Sequence, residues 1–392
     1  MKLKQQPEDF QVEELAEVAP AQQGPHACYR LEKSGWSTPD ALAIVRRRWR
    51  IELRRVSSGG LKDRHAQTVQ HFTILRGPQR NLKQPGIAVR YLGQRAEPFT
   101  SQDIRANRFR ITLRAIADSE VPAAIQALTE VRRDGVPNYF DDQRFGSAGD
   151  GQFIAKHLVL GRFEQALRQA LTAPYEHDRA GQKREKALLR ANWGDWAKCQ
   201  AKLPPGHARN LVEYLAQHPG DFRGAVVQLR PELRGLYLSA YQSHLWNRLL
   251  TYWLETHCRS DQLRRVQLQL GKAPFHHNLG AERQAALAAL QLPLPSARLK
   301  IAADDPVKPL LDAVLAEEEL QLEQLEVKGV RELFFSKGER AALCMPANLT
   351  WDFQPDERHP GRQQAVLSFE LPRGCYATLL VKRIQAASEP GV

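Results

Sequence analysis

Gly60-Leu61-Lys62-Asp63-Arg64-His65-Ala66-Gln67-Thr68-Val69-Gln70 sets one carboxylate between two cations, on a glycine-led turn that runs into a strand-like segment. Nearby positive charge favours the ionised form of a carboxylic acid. An ionised Asp63 can act as a nucleophile or a general base, or it can be half of a solvated loop ion pair. Taken alone, a charged triplet of this kind reads as solvated surface. What lies around it has to decide.

The flanking pattern predicts the elements that would carry this turn. Before it, residues 38–50 read as a helix, with Thr38 as N-cap, Pro39 at the first helical position and Asp40 complementing the dipole. Leu42, Val45 and Trp49 share its inner face, and Arg46, Arg47, Arg48 and Arg50 crowd its C-terminal end. After the turn, Phe72 and Ile74 alternate with His71 and Thr73 as in a half-buried strand. In Arg108-Phe109-Arg110-Ile111-Thr112-Leu113-Arg114, the apolar residues share one face and Arg108, Arg110, Thr112 and Arg114 the other. Ser119 is expected to cap a helix that runs through Arg133, with Ile125, Leu128 and Val131 inward and Gly135 closing it.

From about residue 150 to 330 the pattern is mostly helical. Helices are expected over 153–171 with a break at Gly161, over 238–254, and over 281–291 and 310–325. The β pattern returns at 366–371, followed by a Pro372-Arg373-Gly374 turn and a second expected strand at 376–381. A helical block between two β-containing blocks suggests one sheet domain interrupted by an insertion.

Composition bounds the function class. The 392 residues suffice for two or three domains, and 42% hydrophobic with 26% charged content describes a soluble globular chain. No apolar run is long enough to span a bilayer, and the N-terminus lacks a secretory core, so a cytoplasmic protein is expected. Five scattered cysteines without a CxxC pair argue against a zinc site or a disulfide framework, and His276-His277 reads as a polar surface pair. A net charge of +12 points to a polyanionic partner, most simply nucleic acid. No GxxxxGK[ST] phosphate loop is present to support a nucleotide hydrolase.

The 60–70 motif resembles the signature of the TruD family of pseudouridine synthases. Further blocks resemble the same family in the same order: Pro7-Glu8-Asp9-Phe10-Gln11-Val12-Glu13-Glu14, Asn107-Arg108-Phe109, and Asn138-Tyr139-Phe140-Asp141-Asp142-Gln143-Arg144-Phe145-Gly146. Ser239-Ala240-Tyr241-Gln242-Ser243-His244-Leu245-Trp246-Asn247 and Leu371-Pro372-Arg373-Gly374-Cys375-Tyr376-Ala377-Thr378 complete the set. The likeness is loosest over 174–235 and 255–330.

The resemblance implies an α+β fold: a pseudouridine-synthase mixed-sheet catalytic domain, split in sequence by a mostly helical TruD-type insertion domain. The corresponding boundaries are 1–134 and 340–392 for the catalytic domain and 135–339 for the insertion. It also implies an RNA partner, transfer RNA at uridine 13 of the D arm, with no cofactor, metal, membrane or obligate protein partner. Asp63 matches the catalytic aspartate, as nucleophile at the ribose C1′ or as base toward a glycal. Phe109 matches the phenylalanine expected to stack on the base. Asn107 would hold that base or the Asp63 loop. Lys4 stands where the family has a lysine, as a charge partner for Asp63 or RNA. Lys62, Arg64 and Arg144 are expected to contact phosphate or to stabilise the motif. Asp141 replaces a residue that is commonly Gly in the family, which matters if the loop needs a positive φ there. Broader RNA targets, or an RNA-binding protein with dispensable catalysis, are the alternatives.

Overall fold

A computed structural model of the chain describes residues 1–149, 151–175, 178–330 and 333–388. It divides into two compact units, one formed by Met1–Val136 with Cys344–Val392 and the other by Pro137–Leu343.

The first unit is built on a nine-stranded mixed sheet. Its strands are β1 (Phe10–Ala16), β2 (His26–Ser34), β3 (Val56–Ser58), β4 (Gln67–Leu75), β5 (Leu82–Gln84), β6 (Ile87–Arg95), β7 (Ile104–Ile116), β8 (Ala347–Pro355) and β9 (Gln363–Pro372). The order is β8-β9-β7-β1-β4-β2-β6-β5, with β3 paired to β4. β1 and β4 run parallel, and the neighbouring pairs around them are antiparallel. Strand alternation gives each face its character. The register pairs Val12 with Phe109 and Thr68, and Phe109 with Phe369, so these side chains share a face with Tyr29, Leu31 and Phe72. The other face carries Glu13, Arg30, Arg108 and Arg110.

Helix α1 (Thr38–Trp49) packs Ala41, Ile44, Val45 and Trp49 against Tyr29, Leu31, Phe72 and Val89. Its N-cap is Ser37, whose hydroxyl accepts the Asp40 N–H, and not Thr38. Thr38 is already helical, and its hydroxyl is free for the loop below. Helix α2 (Val121–Asp134) buries Ala124, Ala127, Leu128 and Val131, whereas Ile125 is exposed, because the buried stripe follows the 124–127–128–131 spacing. Gly135 ends it at φ 73°. The expected second C-terminal strand is instead helix α3 (Ala377–Ser388). Ala377, Leu380, Val381 and Ile384 fall at helical spacing and are buried, so helical periodicity overrides the β-branched content.

Arg114 also departs from its strand pattern. It stands on the polar face by alternation yet is buried, with its guanidinium donating to Asp9, Asp356 and Gln364. Asp9 precedes β1 and Asp356 follows β8, so this one cation ties the N-terminal segment to the C-terminal strands.

In the second unit, helices Ile154–Val159 and Phe163–Thr172 are separated at Gly161, which has φ 70°. The central helix, Pro231–His257, extends further than its apolar pattern suggested, with Pro231 in its first turn. Shorter helices cover Ala281–Ala289 and Lys308–Glu317. His276, expected at the surface, is buried on a strand of the hairpin Leu263–Leu268 and Gly271–His276. Asp141 has φ −89° and ψ 169°, an extended conformation that needs no glycine.

Breaking a buried ion pair by removing one partner is costly, because the remaining charge stays buried. Arg114→Met should therefore lower the unfolding free energy by about 4 kcal/mol, read by urea denaturation at neutral pH.

Candidate active site

The loop between β3 and β4 turns back over the sheet face that bears Val12, Gln70 and Asn107. Side-chain contacts set its path. The Gln70 amide donates to the Gly60 carbonyl (3.3 Å) and the Lys62 N–H donates to Thr38 Oγ1 (2.9 Å). Thr38 Oγ1 in turn donates to Gln70 Oε1 (2.7 Å). Lys62 Nζ lies 3.0 Å from Glu14 Oε1 and donates to Asn107 Oδ1 (2.9 Å). Glu14 and Asn107 face each other across β1 and β7, which brings both within reach of one ammonium.

Glu14 has a fully buried side chain, and its second oxygen accepts the His71 N–H at 2.8 Å. Burial raises its pKa above the ordinary carboxylate value, while Lys62 and that N–H oppose the shift. Lys33 lies on the same face, at the end of the buried series Ala27, Tyr29, Leu31. Its Nζ donates to the carbonyls of Lys62 (3.2 Å) and Asp63 (2.8 Å). Burial pulls the Lys33 ammonium down to about 8, against the pull of Asp63 in the other direction.

Asp63 is thereby carried with its carboxylate toward Lys4, whose Nζ is 2.5 Å from Oδ2. The two side chains are 37% and 26% exposed, so the pair remains open to solvent. Lys4 itself sits at φ 56°, a left-handed conformation that costs a non-glycine residue on the order of 1 kcal/mol. It is held there by Asp63 and by the Phe10 ring, 4.0 Å from Nζ. Phe10 meets Phe109 edge-on at 6.2 Å, and Phe109 stacks on Phe369 at 5.4 Å. Phe109 is 7% exposed, so these rings form a packed floor beside the Lys4–Asp63 pair.

The expected residues thus fall into three groups. Lys4 pairs with Asp63 and, through Phe10, meets Phe109, while Lys62 pairs separately with Asn107. The cation at the Asp63 carboxylate is Lys4 and not its sequence neighbours: Lys62 is turned to Glu14 and Asn107, and exposed Arg64 donates to the Gly35 carbonyl (3.3 Å). Sequence adjacency put the charges next to Asp63 in the chain, but the turn sends the three side chains in different directions. Arg144 belongs to the second unit, where its guanidinium lies 5.5 Å from the Phe140 ring centre and donates to Ser239 at 3.5 Å.

Sequence reasoning passed over Glu14, Lys33, Thr38 and Phe10 as site residues. For Lys33 a signal existed: a lone cation continuing the apolar parity of β2. A cavity of about 610 Å³, lined in part by Gln11, Glu13, Arg30, Arg108 and Arg110, opens on the opposite face of the sheet. Two of its cations are cross-paired there, Arg30 and Arg108 with Glu13 and Arg108 with Glu370.

Lys62→Met removes the cation from a carboxylate that cannot reach water. It should destabilise the protein by about 3 kcal/mol at pH 7.5. The folded-state pKa of Glu14 is raised, so the penalty is smallest below the unfolded value and grows as pH rises through the folded one. Urea titrations of wild type and variant should accordingly show the gap narrowing as the pH falls toward 5.

A family model described as tRNA pseudouridine synthase D (TruD) matches residues 1–384. The chain is 29% identical to the "Probable tRNA pseudouridine synthase D 1" of Methanococcus maripaludis, over 98% of this chain and 99% of that one. It is 26% identical to the tRNA pseudouridine synthase D of Aquifex aeolicus, over 98% of each. The crystal structure of a Methanosarcina mazei protein assigned as tRNA pseudouridine synthase D superposes with a TM-score of 0.72 at 24% identity, covering 98% of this chain and 93% of that one, and so shares its fold. With a match across almost the whole chain, this protein belongs to the tRNA pseudouridine synthase D (TruD) family, a family of isomerases.

Proposed function

We propose that this chain isomerises uridine to pseudouridine in transfer RNA, at uridine 13 of the D arm, with Asp63 as the reacting carboxylate. The observation that carries the reading is the contrast between two carboxylates on one sheet face. Glu14 is sealed and committed to Lys62 and a backbone N–H, whereas Asp63 is partly exposed and held by one solvent-accessible ammonium. A group that must engage a ribose has to be reachable, and Asp63 is.

The reaction is balanced without an oxidant or reductant. The N1–C1′ bond of uridine breaks, the uracil turns, and a C5–C1′ bond forms. The C5 proton is lost to solvent, and N1 gains one. Asp63 serves either by attacking C1′ or by taking a ribose proton to give a glycal; both routes begin from the carboxylate. Lys4 is its counterion and can pass to an incoming phosphate. Phe109, backed by Phe10 and Phe369, is the aromatic floor for the uracil, and stacking retains the detached base while it turns. Asn107 and Lys62 hold the loop, and Arg64 and Arg144 are phosphate contacts. The unit Pro137–Leu343 contains most of the stretch 135–339 that this reading assigns to the family's insertion domain. No helix among the described residues is long and apolar enough to cross a membrane, and we place the protein with its RNA in the cytoplasm.

The test is release of tritium from uracil C5 of an unmodified transfer RNA transcript. Wild type should release one equivalent per target uridine, and a transcript with cytidine at position 13 should release none. Asp63→Asn should slow release by at least ~10³-fold. Wild-type turnover by Asp63→Asn would remove Asp63 from its role. Lys4→Met should retain the fold and lose about tenfold to 100-fold in rate, with the loss deepest at low ionic strength; an unchanged rate would make Lys4 a bystander.

A further inference from the structure

Lys33 is a charge in an expensive place. It extends the buried series Ala27, Tyr29, Leu31 on β2 and is itself 3% exposed. Its register neighbours, Thr68 on β4 and Ile87 on β6, carry no charge. Among the described residues no carboxylate lies within ion-pair distance of its ammonium. Desolvation of an unpaired ammonium costs several kcal/mol, and an apolar side chain would complete this face at lower cost. What the ammonium does instead is donate to two consecutive carbonyls, those of Lys62 (3.2 Å) and Asp63 (2.8 Å).

Those carbonyls belong to the two peptide groups on either side of the Asp63 Cα. The Lys62 N–H, one peptide earlier, is fixed by Thr38 Oγ1. With three hydrogen bonds to the main chain across two residues, the direction in which the Asp63 side chain leaves the loop is set from beneath. That direction is toward Lys4. Lys33 also sits close enough for Asp63 to act on its proton affinity, so the same ammonium holds positive charge behind the carboxylate.

We propose that Lys33 is a positioning residue for the isomerisation, tying both peptide groups that flank Asp63 to the sheet and fixing the approach of its carboxylate to the ribose. This rests on the reading of Asp63 as the reacting carboxylate. A neutral amide could also reach two carbonyls with its two N–H groups, but only a cation adds positive charge beneath them. Misplacement of a reacting group by about 1 Å costs on the order of 100-fold in rate, and the loss falls on kcat because RNA is bound by other groups.

The experiment compares wild type, Asp63→Asn, Lys33→Ala and Lys33→Met by C5-tritium release and by filter-binding affinity for the same transcript, after thermal melts confirm folding. The expected result is a fall in kcat of about 100-fold for both Lys33 variants with KM and affinity within about threefold of wild type. Added n-propylammonium should restore Lys33→Ala by at least about fivefold, and n-butanol, of similar size and uncharged, should not. If Lys33→Ala fails to fold, Lys33→Met fills the site and still gives the split between kcat and KM. Turnover by Lys33→Met within about threefold of wild type, with Asp63→Asn silent, overturns the inference and leaves the functional reading intact. Equal rescue by the amine and the alcohol also overturns it, because it reduces Lys33 to packing. Turnover by Asp63→Asn overturns the functional reading itself, whatever Lys33 does.

Discussion

The buried carboxylate of Glu14 is the constraint on which the site depends. Its side chain has no exposed surface, and a carboxylate moved out of water without a partner costs several kcal/mol. Lys62 is the cation that reaches it, at 3.0 Å, and it can do so only if the chain after β3 turns back across the sheet. Once the loop lies there, the rest of the polar matching follows. Asn107 takes a second hydrogen bond from Lys62, Gln70 takes up the Gly60 carbonyl, and Thr38 takes up the Lys62 N–H. The pair need not add net stability, since desolvation of two ions offsets most of their attraction. Its effect is to make one loop path much better than the alternatives.

Next to it, the Lys4–Asp63 pair obeys different physics. At 26% and 37% exposure its attraction is screened, and such pairs contribute up to about 1 kcal/mol. A carboxylate held this weakly can exchange its partner for a substrate, while one held as Glu14 is cannot. Burial therefore assigns the two acids, both at the same sheet face, to different tasks. The left-handed backbone at Lys4 fits this division, because strain of that kind persists where surrounding contacts over-determine a residue near a functional site.

Elements with strong periodicity could be read from the sequence. The alternation through Phe109, Ile111 and Leu113 is strand β7, and the spacing of Val45 and Trp49 is helix α1. Asp63 was legible as a candidate because its motif is local. Its surroundings were not, because they depend on which strands lie side by side. No sequence window shows that Glu14 faces Asn107, that Arg114 meets Asp356 some 240 positions away, or that Lys33 ends beneath a loop thirty residues on. Nor could the sequence show that the cations flanking Asp63 point elsewhere. Residues 376–381 were misread as a strand because the β-branched and aromatic side chains there are outweighed by packing of Ala377, Leu380, Val381 and Ile384 along one helical face. Thr38 was misread as a cap because Ser37, one residue earlier, is equally suited to capping, and only the fold shows which hydroxyl the helix uses.

The central claim is that the target uridine meets the face of the sheet that carries Asp63 and the Phe10–Phe109–Phe369 rings, and not the face of Arg30, Arg108 and Arg110. The most direct measurement is photocrosslinking with 4-thiouridine placed at the target position of a transfer RNA, using Asp63→Asn to hold the complex, followed by residue-level mass spectrometry. Crosslinks are expected at Phe10, Phe109 or the residues 60–66 of the loop. Crosslinks confined to Arg30, Arg108, Arg110 and their neighbours on the opposite face would contradict it.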